Sequence, residues 1–253
     1  MLKELVARLK QGYRTIPYPE GTPALPDRFW GKPEVNFSIC ESVCRACAEA
    51  CPTAAVTCTA EKPALDMGRC LFCADCAAAC PKGALRFTVE HRLAAWARED
   101  LILRDPQPPP CAPSDPARLR IFRRSLKLRQ VSAGGCNACE ADVTVLSTIA
   151  FDLGRFGIQI VASPRHADGL LITGPVTENM RLALEKTYQA LPPPRLVIAV
   201  GACAVSGGPY VDHPEAHNGA TGVIPVDLFV PGCPPHPLTI LDGLIRLIER
   251  VEQ

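Results

Sequence analysis

The sequence predicts two structural units in series: a small α+β unit with internal repetition, then a larger α/β domain on a parallel sheet. Three observations carry this. Residues 37–90 repeat a run of cysteines, a Cys-Pro pair, a small turn and a short β-prone stretch. Residues 105–118 hold six prolines, a semi-rigid linker and hence a boundary. From residue 119 onward, short apolar β-prone runs alternate with helical stretches, which argues for parallel strands covered by helices.

The elements follow in order. Residues 1–36 read as an amphipathic helix and an extended arm. Leu2, Leu5, Val6 and Leu9 share one helical face, with Lys3, Arg8 and Lys10 elsewhere. Such a helix docks on its own chain or on a partner; the alternative is a membrane surface. Residues 13–36 are rich in Pro and Gly and are expected to wrap a surface. Residues 37–104 form the repeat unit, with strands expected at 55–57 and 84–89. A helix is expected over 91–104, with Leu93, Trp96 and Leu101 as its apolar points. A unit this small has little hydrophobic core, so bound metal must supply much of its folding energy. Residues 105–118 are the linker. In residues 119–253, strands are expected at 128–133, 158–162, 170–173 and 196–200, with a β-like run at 223–230. Helices are expected at 178–191 and 238–252.

Bulk properties exclude several classes. A chain of 253 residues can bury one large or two modest cores. A net charge of +1 gives no electrostatic case for nucleic acid. No run of eighteen apolar residues is present, so no membrane-spanning helix is expected. No secretory leader is evident at the N-terminus. Fourteen cysteines in such a chain point to metal ligation in a reducing cytoplasmic compartment, against the alternative of a disulfide scaffold.

Twelve of the fourteen cysteines fall into three sets of four. Two sets are local runs: Cys40, Cys44, Cys47, Cys51-Pro52, and Cys70, Cys73, Cys76, Cys80-Pro81. The second run is C-x2-C-x2-C-x3-C-P, the bacterial ferredoxin signature for [4Fe–4S] clusters. Three closely spaced thiolates bind one cube, and the fourth reaches the other. Cluster one is therefore assigned to Cys40, Cys44, Cys47 and Cys80, and cluster two to Cys70, Cys73, Cys76 and Cys51. The first run departs in having one extra residue after Cys40, so its loop must bulge. A pair of zinc sites is the competing reading, but zinc modules usually pair two knuckles across a longer loop.

The third set is scattered: Cys136, Cys139, Cys203 and Cys233. Each follows an expected strand, so all four should lie at the carboxyl edge of the sheet, where open α/β folds bind ligands. Neighbouring glycines let the backbone approach a bound cube. This set is assigned to cluster three.

These residues also carry a resemblance. Gly135-Cys136-Asn137-Ala138-Cys139-Glu140, Ser163–Asp168, Ile172–Val176, Gly201–Ala204 and Pro225–Pro235 resemble the small subunit shared by energy-converting group 4 [NiFe] hydrogenases and the 20 kDa-type subunit of complex I. Complex I subunits carry adjacent cysteines at the first position, whereas C-x2-C is the hydrogenase form. Residues 1–104 resemble the two-cluster ferredoxin subunit of formate hydrogenlyase and hydrogenase-4 complexes. The segments are Tyr18-Pro19, Phe29–Glu34, Gly68–Cys73 and Leu93–Asp100. The chain thus resembles a fusion of two subunits. The fold implied is an α+β ferredoxin-like two-cluster domain followed by an α/β flavodoxin-like parallel-sheet domain.

The resemblance implies an electron-transfer subunit carrying three [4Fe–4S] clusters to or from a large catalytic subunit. It implies no catalytic residue in this chain. Membrane antiporter-like subunits would be indirect partners, and a soluble ferredoxin or a formate dehydrogenase module would be the donor or acceptor. The implied location is peripheral, on the cytoplasmic face of the cell membrane. Alternatives are the same relay in a complex I-like quinone or ion-pumping assembly without nickel–iron, or a metal-binding scaffold without electron transfer.

Other residues have two readings. In related small subunits a glutamate at the position of Glu140 is implicated in proton transfer; the plain reading is a carboxylate at a helix N-terminus. Asp142 is a weaker proton candidate. His166 is expected to make structural hydrogen bonds. His236 would donate to the third cluster's surroundings or cap the last helix. Cys58 reads as a small buried residue and Cys111 as a free thiol in the linker. Arg69, Lys82 and Arg86 read as solvated cations that could offset cluster charge.

Overall fold

The apolar runs Gly169–Thr173 and Leu196–Val200 are buried at every position, as strands covered on both faces must be. They form the middle of a five-stranded parallel sheet in a computed structural model that describes residues 2–40, 44–58, 63–113 and 115–248. The elements are α1 (Leu2–Gln11), β1 (Pro33–Val35), α2 (Ala46–Glu49), β2 (Val56–Cys58), β3 (Pro63–Asp66), α3 (Asp75–Ala78), β4 (Leu85–Phe87) and β5 (Ile102–Leu103). There follow α4 (Pro116–Arg120), β6 (Leu126–Ser132), α5 (Ala138–Val145), β7 (Ile158–Ile160), β8 (Gly169–Thr173), α6 (Glu178–Gln189), β9 (Leu196–Val200), α7 (Ala202–Ser206), β10 (Leu228–Val230) and α8 (Pro237–Leu247).

The large sheet has the order β10-β9-β8-β6-β7, with every pairing parallel. The strand order reverses between β6 and β8, so the loops leaving those two strands diverge and open a crevice at the carboxyl edge. One face is covered by α5 and α8, where Val143, Leu146, Ile240, Leu241 and Leu244 are fully buried. The other is covered by α6 through Leu184 and by Ala220 and Ile224. The β-like run 223–230 yields a strand only at Leu228–Val230, because Pro225 has no N–H for a ladder.

The cysteine-rich half contains two small antiparallel sheets, β1-β4 and β2-β3-β5. Its internal repeat is visible in the structure: α2 and β2 recur as α3 and β4 at the same offset. This half packs directly on the large sheet. One apolar cluster joins Cys47, Leu65, Cys76 and Leu101 to Ala199, Val205 and Phe229.

The helix expected over 91–104 is not formed. Residues 91–97 form no helix and carry a single bridge at Ala95, and only a 3-10 turn at Arg98–Leu101 follows. The reason is tertiary. Ala95 exchanges both backbone hydrogen bonds with Phe229 at 2.9 Å, which satisfies the otherwise open edge of β10. The proline-rich stretch also holds an element: α4 begins inside it, with Asp115 capping Arg118 N–H at 2.9 Å.

The N-terminal arm is pinned by a buried polar network. Tyr18 donates to Asp242 on α8 at 2.8 Å, and His91 approaches the same hydroxyl at 3.2 Å. Arg246 donates to Asp242 at 2.7 Å and to the Ala94 carbonyl at 3.0 Å. By contrast, α1 buries none of its residues, and Leu2 and Leu9 are about four-fifths exposed. Its apolar face is therefore not docked on this chain. The expected extension of the last helix beyond 248 lies outside the described residues.

Candidate metal centres

The three groups of cysteines are each drawn together. Cys40, Cys44, Cys47 and Cys80 line one cavity, together with Pro81 and Lys82. Cys51, Cys70, Cys73 and Cys76 line a second, together with Thr53 and Phe87. The last cysteine of each run is thus placed with the first three of the other. The repeat explains how. Each Cys-Pro turn ends with a backbone N–H directed at its own cysteine: Ala55 to Cys51 and Ala84 to Cys80, both at 3.2 Å. Phe72 N–H reaches Cys70 at 3.3 Å. Such N–H···S bonds are a lever on cluster potential.

The third group assembles at the carboxyl edge of the large sheet. Cys136 and Cys139 follow β6, Cys203 opens α7 just after β9, and Cys233 follows β10. The backbone at Gly201 approaches Cys139 so closely that a Cβ there would sit 2.5 Å from its sulfur. Burial pushes the Cys139 thiol up to about 12, and the charges of Cys203, Glu140, Cys233 and Cys136 add to it. Cys203 is raised to about 11 by burial and then by Cys233 and Cys136. Burial likewise leads the rise of Cys47 and Cys70 to about 12 and of Cys76 to about 11. Cys80 runs the other way. Partial burial would raise it, but the N–H groups around Ala84 and Leu85 hold it low.

Crowded thiols that oppose one another's ionisation are relieved by a bound cation, which deprotonates them on ligation. Among the described residues, no three Cys, His, Asp or Glu side chains converge tightly enough for a single metal ion. A zinc centre needs four sulfurs about 2.3 Å from one point. Soft thiols ringing a cavity fit a polynuclear iron–sulfur cluster.

The second and third groups are neighbours. A cavity of about 270 Å³ is lined on one side by Leu71 and Phe72, from the Cys70–Cys73 loop, and on the other by Cys233, Pro234 and Pro235. Ser206, one turn after Cys203, donates to the Gly68 carbonyl at 2.8 Å. Asp66 accepts from Gly68 N–H at 2.8 Å and from Arg98 at 2.6 Å, and Thr53 donates to the Arg69 carbonyl at 2.8 Å. These four side chains hold the loop that presents Cys70. Ser206, Arg98 and Thr53 have no sequence signal, because each acts on a segment remote in sequence, whereas Asp66 makes a local turn with Gly68.

The remaining candidates separate clearly. Glu140 is buried and accepts from Thr173 at 2.6 Å. Burial alone would raise its carboxyl, but the hydroxyls of Ser132 and Thr173 outweigh it and hold it below the usual range. Asp142 is raised by burial and lines the 270 Å³ cavity. His236 caps α8, its Nδ1 accepting from Leu238 N–H at 3.2 Å, and stacks edge-on against Phe29. His166 is exposed in a 3-10 turn before β8, near the amino edge of the sheet and away from the cysteines. Cys111 is exposed, and its N–H donates to Asp100. Arg86 pairs with Glu34 on the surface at 2.6 Å. Cys58, half-buried at the end of β2, packs against the apolar cluster that contains Cys47.

Comparison with known proteins places this arrangement. Residues 136–247 match the family described as "NADH ubiquinone oxidoreductase, 20 Kd subunit". The chain is 41% identical over 132 residues to the probable membrane-bound hydrogenase subunit mbhJ of Pyrococcus furiosus, covering 52% of this chain and 79% of that one. The chain belongs to this family. It is an iron–sulfur oxidoreductase subunit family, and its members here include subunits of redox complexes. Formate hydrogenlyase subunit 7 of Escherichia coli is 42% identical over 135 residues, 53% of each chain. An NADH-quinone oxidoreductase subunit of Clostridium beijerinckii is 40% identical over 118 residues, 46% of this chain and 70% of that one. The family match covers the large-sheet half. No helix among the described residues is long and apolar enough to cross a membrane.

Proposed function

We propose that this chain is an electron-transfer subunit that relays electrons through three [4Fe–4S] clusters. The ligands are Cys40, Cys44, Cys47 and Cys80; Cys51, Cys70, Cys73 and Cys76; and Cys136, Cys139, Cys203 and Cys233. The observation that carries this reading is the gathering of twelve cysteines into three groups of four. The clusters would supply one-electron carriers with potentials suited to low-potential donors. The protein would orient them, shield them from water and donate N–H bonds to their sulfur ligands. The N-terminal half would act as a ferredoxin-like two-cluster domain, fused to the family domain. The cavity that Leu71 and Phe72 share with the Cys233 loop supports the second group as the link to the third.

The partner would be the large catalytic subunit of a membrane-associated group 4 [NiFe] hydrogenase or formate-hydrogenlyase-like complex, with this chain peripheral on the cytoplasmic face. The likeness to a hydrogenase subunit and to formate hydrogenlyase subunit 7 supports this. A second reading places the same relay in a quinone-reducing, ion-pumping complex, and the likeness to the NADH-quinone oxidoreductase chain favours it. Purification of the native complex with metal analysis separates them. Nickel with a large subunit that has two C-x2-C pairs supports the first, and nickel-free complex with quinone reduction supports the second. Either way the isolated chain should carry ~12 iron atoms with matching acid-labile sulfide. Four or fewer would leave a scaffold or a smaller carrier.

Glu140 is proposed as a proton carrier at the third group. A carboxylate held by two hydroxyls accepts a proton only transiently, which suits transfer better than storage. Glu140→Gln keeps the hydrogen-bond geometry with Thr173 but cannot cycle a proton. It should leave all three cluster signals intact and cut turnover of the assembled complex by about 10²-fold or more. Unchanged turnover would make Glu140 purely structural.

A further inference from the structure

Helix α1 buries none of its residues, yet its sequence is that of a helix with a face to bury. At 3.6 residues per turn, Leu2, Leu5, Val6 and Leu9 fall within an arc of about 100°. All four are exposed, as is Tyr13 just beyond the helix. Lys3 and Lys10 border the arc on the side of Val6, and Arg8 borders it on the side of Leu5. Glu4, the one acid in α1, falls on the opposite side.

This order selects an occupant. When an apolar stripe sinks between lipid headgroups, long cationic side chains along both of its margins reach up to the phosphates. The acid is then turned to water. A protein groove would need acidic rims on both sides to match the same pattern.

The surface from which α1 springs agrees in sign. The chain is tied down just after the helix. Thr15 donates to the Ile149 carbonyl at 2.8 Å, Ile16 N–H to the Ala150 carbonyl at 2.9 Å, and Arg155 to the carbonyls of Ile16 and Tyr18 at 2.9 Å. Leu126 N–H donates to the Gly157 carbonyl at 2.9 Å, which brings the start of β6 to the same edge of the sheet. Arg120, Arg123, Arg124 and Lys127 are exposed on that segment, as are Ile121 and Ile149. Asp152 is the one acid in residues 120–127 and 146–157. The whole chain carries a net charge of only +1, so this is a local concentration of cations.

We infer that α1 lies in the surface of an anionic lipid bilayer with its apolar face down, and that the basic amino edge of the large sheet supplies a second, electrostatic hold. This rests on the peripheral membrane placement proposed above and names the part of the chain that makes it. Four apolar side chains partition weakly by themselves, so binding should need both parts.

The test is co-sedimentation of the iron-loaded full chain with vesicles of phosphatidylcholine alone and of phosphatidylcholine mixed with phosphatidylglycerol. Wild type should bind the anionic vesicles about tenfold more tightly or better, and raised salt should erase the difference. Leu5→Glu/Leu9→Glu should cut binding to anionic vesicles by about tenfold or more, and Arg120→Gln/Arg124→Gln by about three- to tenfold. Both variants should keep the iron content and EPR signals of wild type, because every substituted residue is exposed. Val89→Glu changes an exposed apolar residue of the cysteine-rich half and should bind as wild type does. Equal binding of wild type to both vesicles, or wild-type binding by Leu5→Glu/Leu9→Glu, would overturn the inference. So would a wild type that ignores vesicles while the double-glutamate variant drops out of the native complex, which assigns the face to a protein partner. In each of these cases a native complex that still sediments with the membrane keeps the peripheral placement. A native complex found in the soluble fraction removes that placement, and the anchor with it.

Discussion

Cys139→Ser should take the chain from ~12 irons to ~8 and abolish one of three EPR signals while leaving two intact. Cys139 is the most enclosed of its group: Gly201 packs against its sulfur, and the charges of Cys203, Glu140, Cys233 and Cys136 all act on it. A serine oxygen is a hard, poor ligand for iron that prefers thiolate. The three remaining thiols would be left crowded and buried without the cation that relieves them. Cluster binding is also folding energy, so the variant should melt at lower temperature. The damage should stay local. The other groups sit on α2, α3 and their flanking turns, and share no ligand with this edge. Loss of a signal from either N-terminal group, or full iron retention, would show that the twelve cysteines are grouped in some other way.

The parts of this molecule that were legible in its sequence are those with local causes. Strands β8 and β9 are continuous apolar runs and could be little else. The two Cys-Pro runs carry their own turns, so their thiols come together with few long-range contacts. The carboxyl-edge placement of Cys136, Cys139, Cys203 and Cys233 followed from strands preceding each of them, and the strand order then put those loops side by side. What failed had remote causes. Residues 91–104 have helical periodicity, but Ala95 is claimed by Phe229 across more than a hundred residues of sequence. Tyr18 was visible only as a resemblance motif, and its reason is the carboxylate of Asp242. Cys58 read as filler because nothing local marks it. The repeat sets it at the end of β2, where Phe87 ends β4 in the second half.

Gly201→Ala should reproduce the loss seen with Cys139→Ser although it removes no ligand. Gly201 has φ 92° and ψ 153°, a region essentially restricted to glycine and costing other residues on the order of 1–3 kcal/mol. The added methyl would lie 2.5 Å from the Cys139 sulfur, well inside contact distance. The same methyl would also lie 3.6 Å from the Gly232 carbonyl. The chain is expected to fold around its apolar sheet, retain both N-terminal clusters and lack the third signal. Gly83→Ala is the matched control. Gly83 also has positive φ, at 60°, but nothing lies within 4 Å of a Cβ there. That variant should lose only about 1 kcal/mol through backbone strain and keep all its iron. If Gly201→Ala also kept ~12 irons with an unaltered third signal, close approach of the β9–α7 turn would not be what shapes this site. The glycine would then serve the backbone alone.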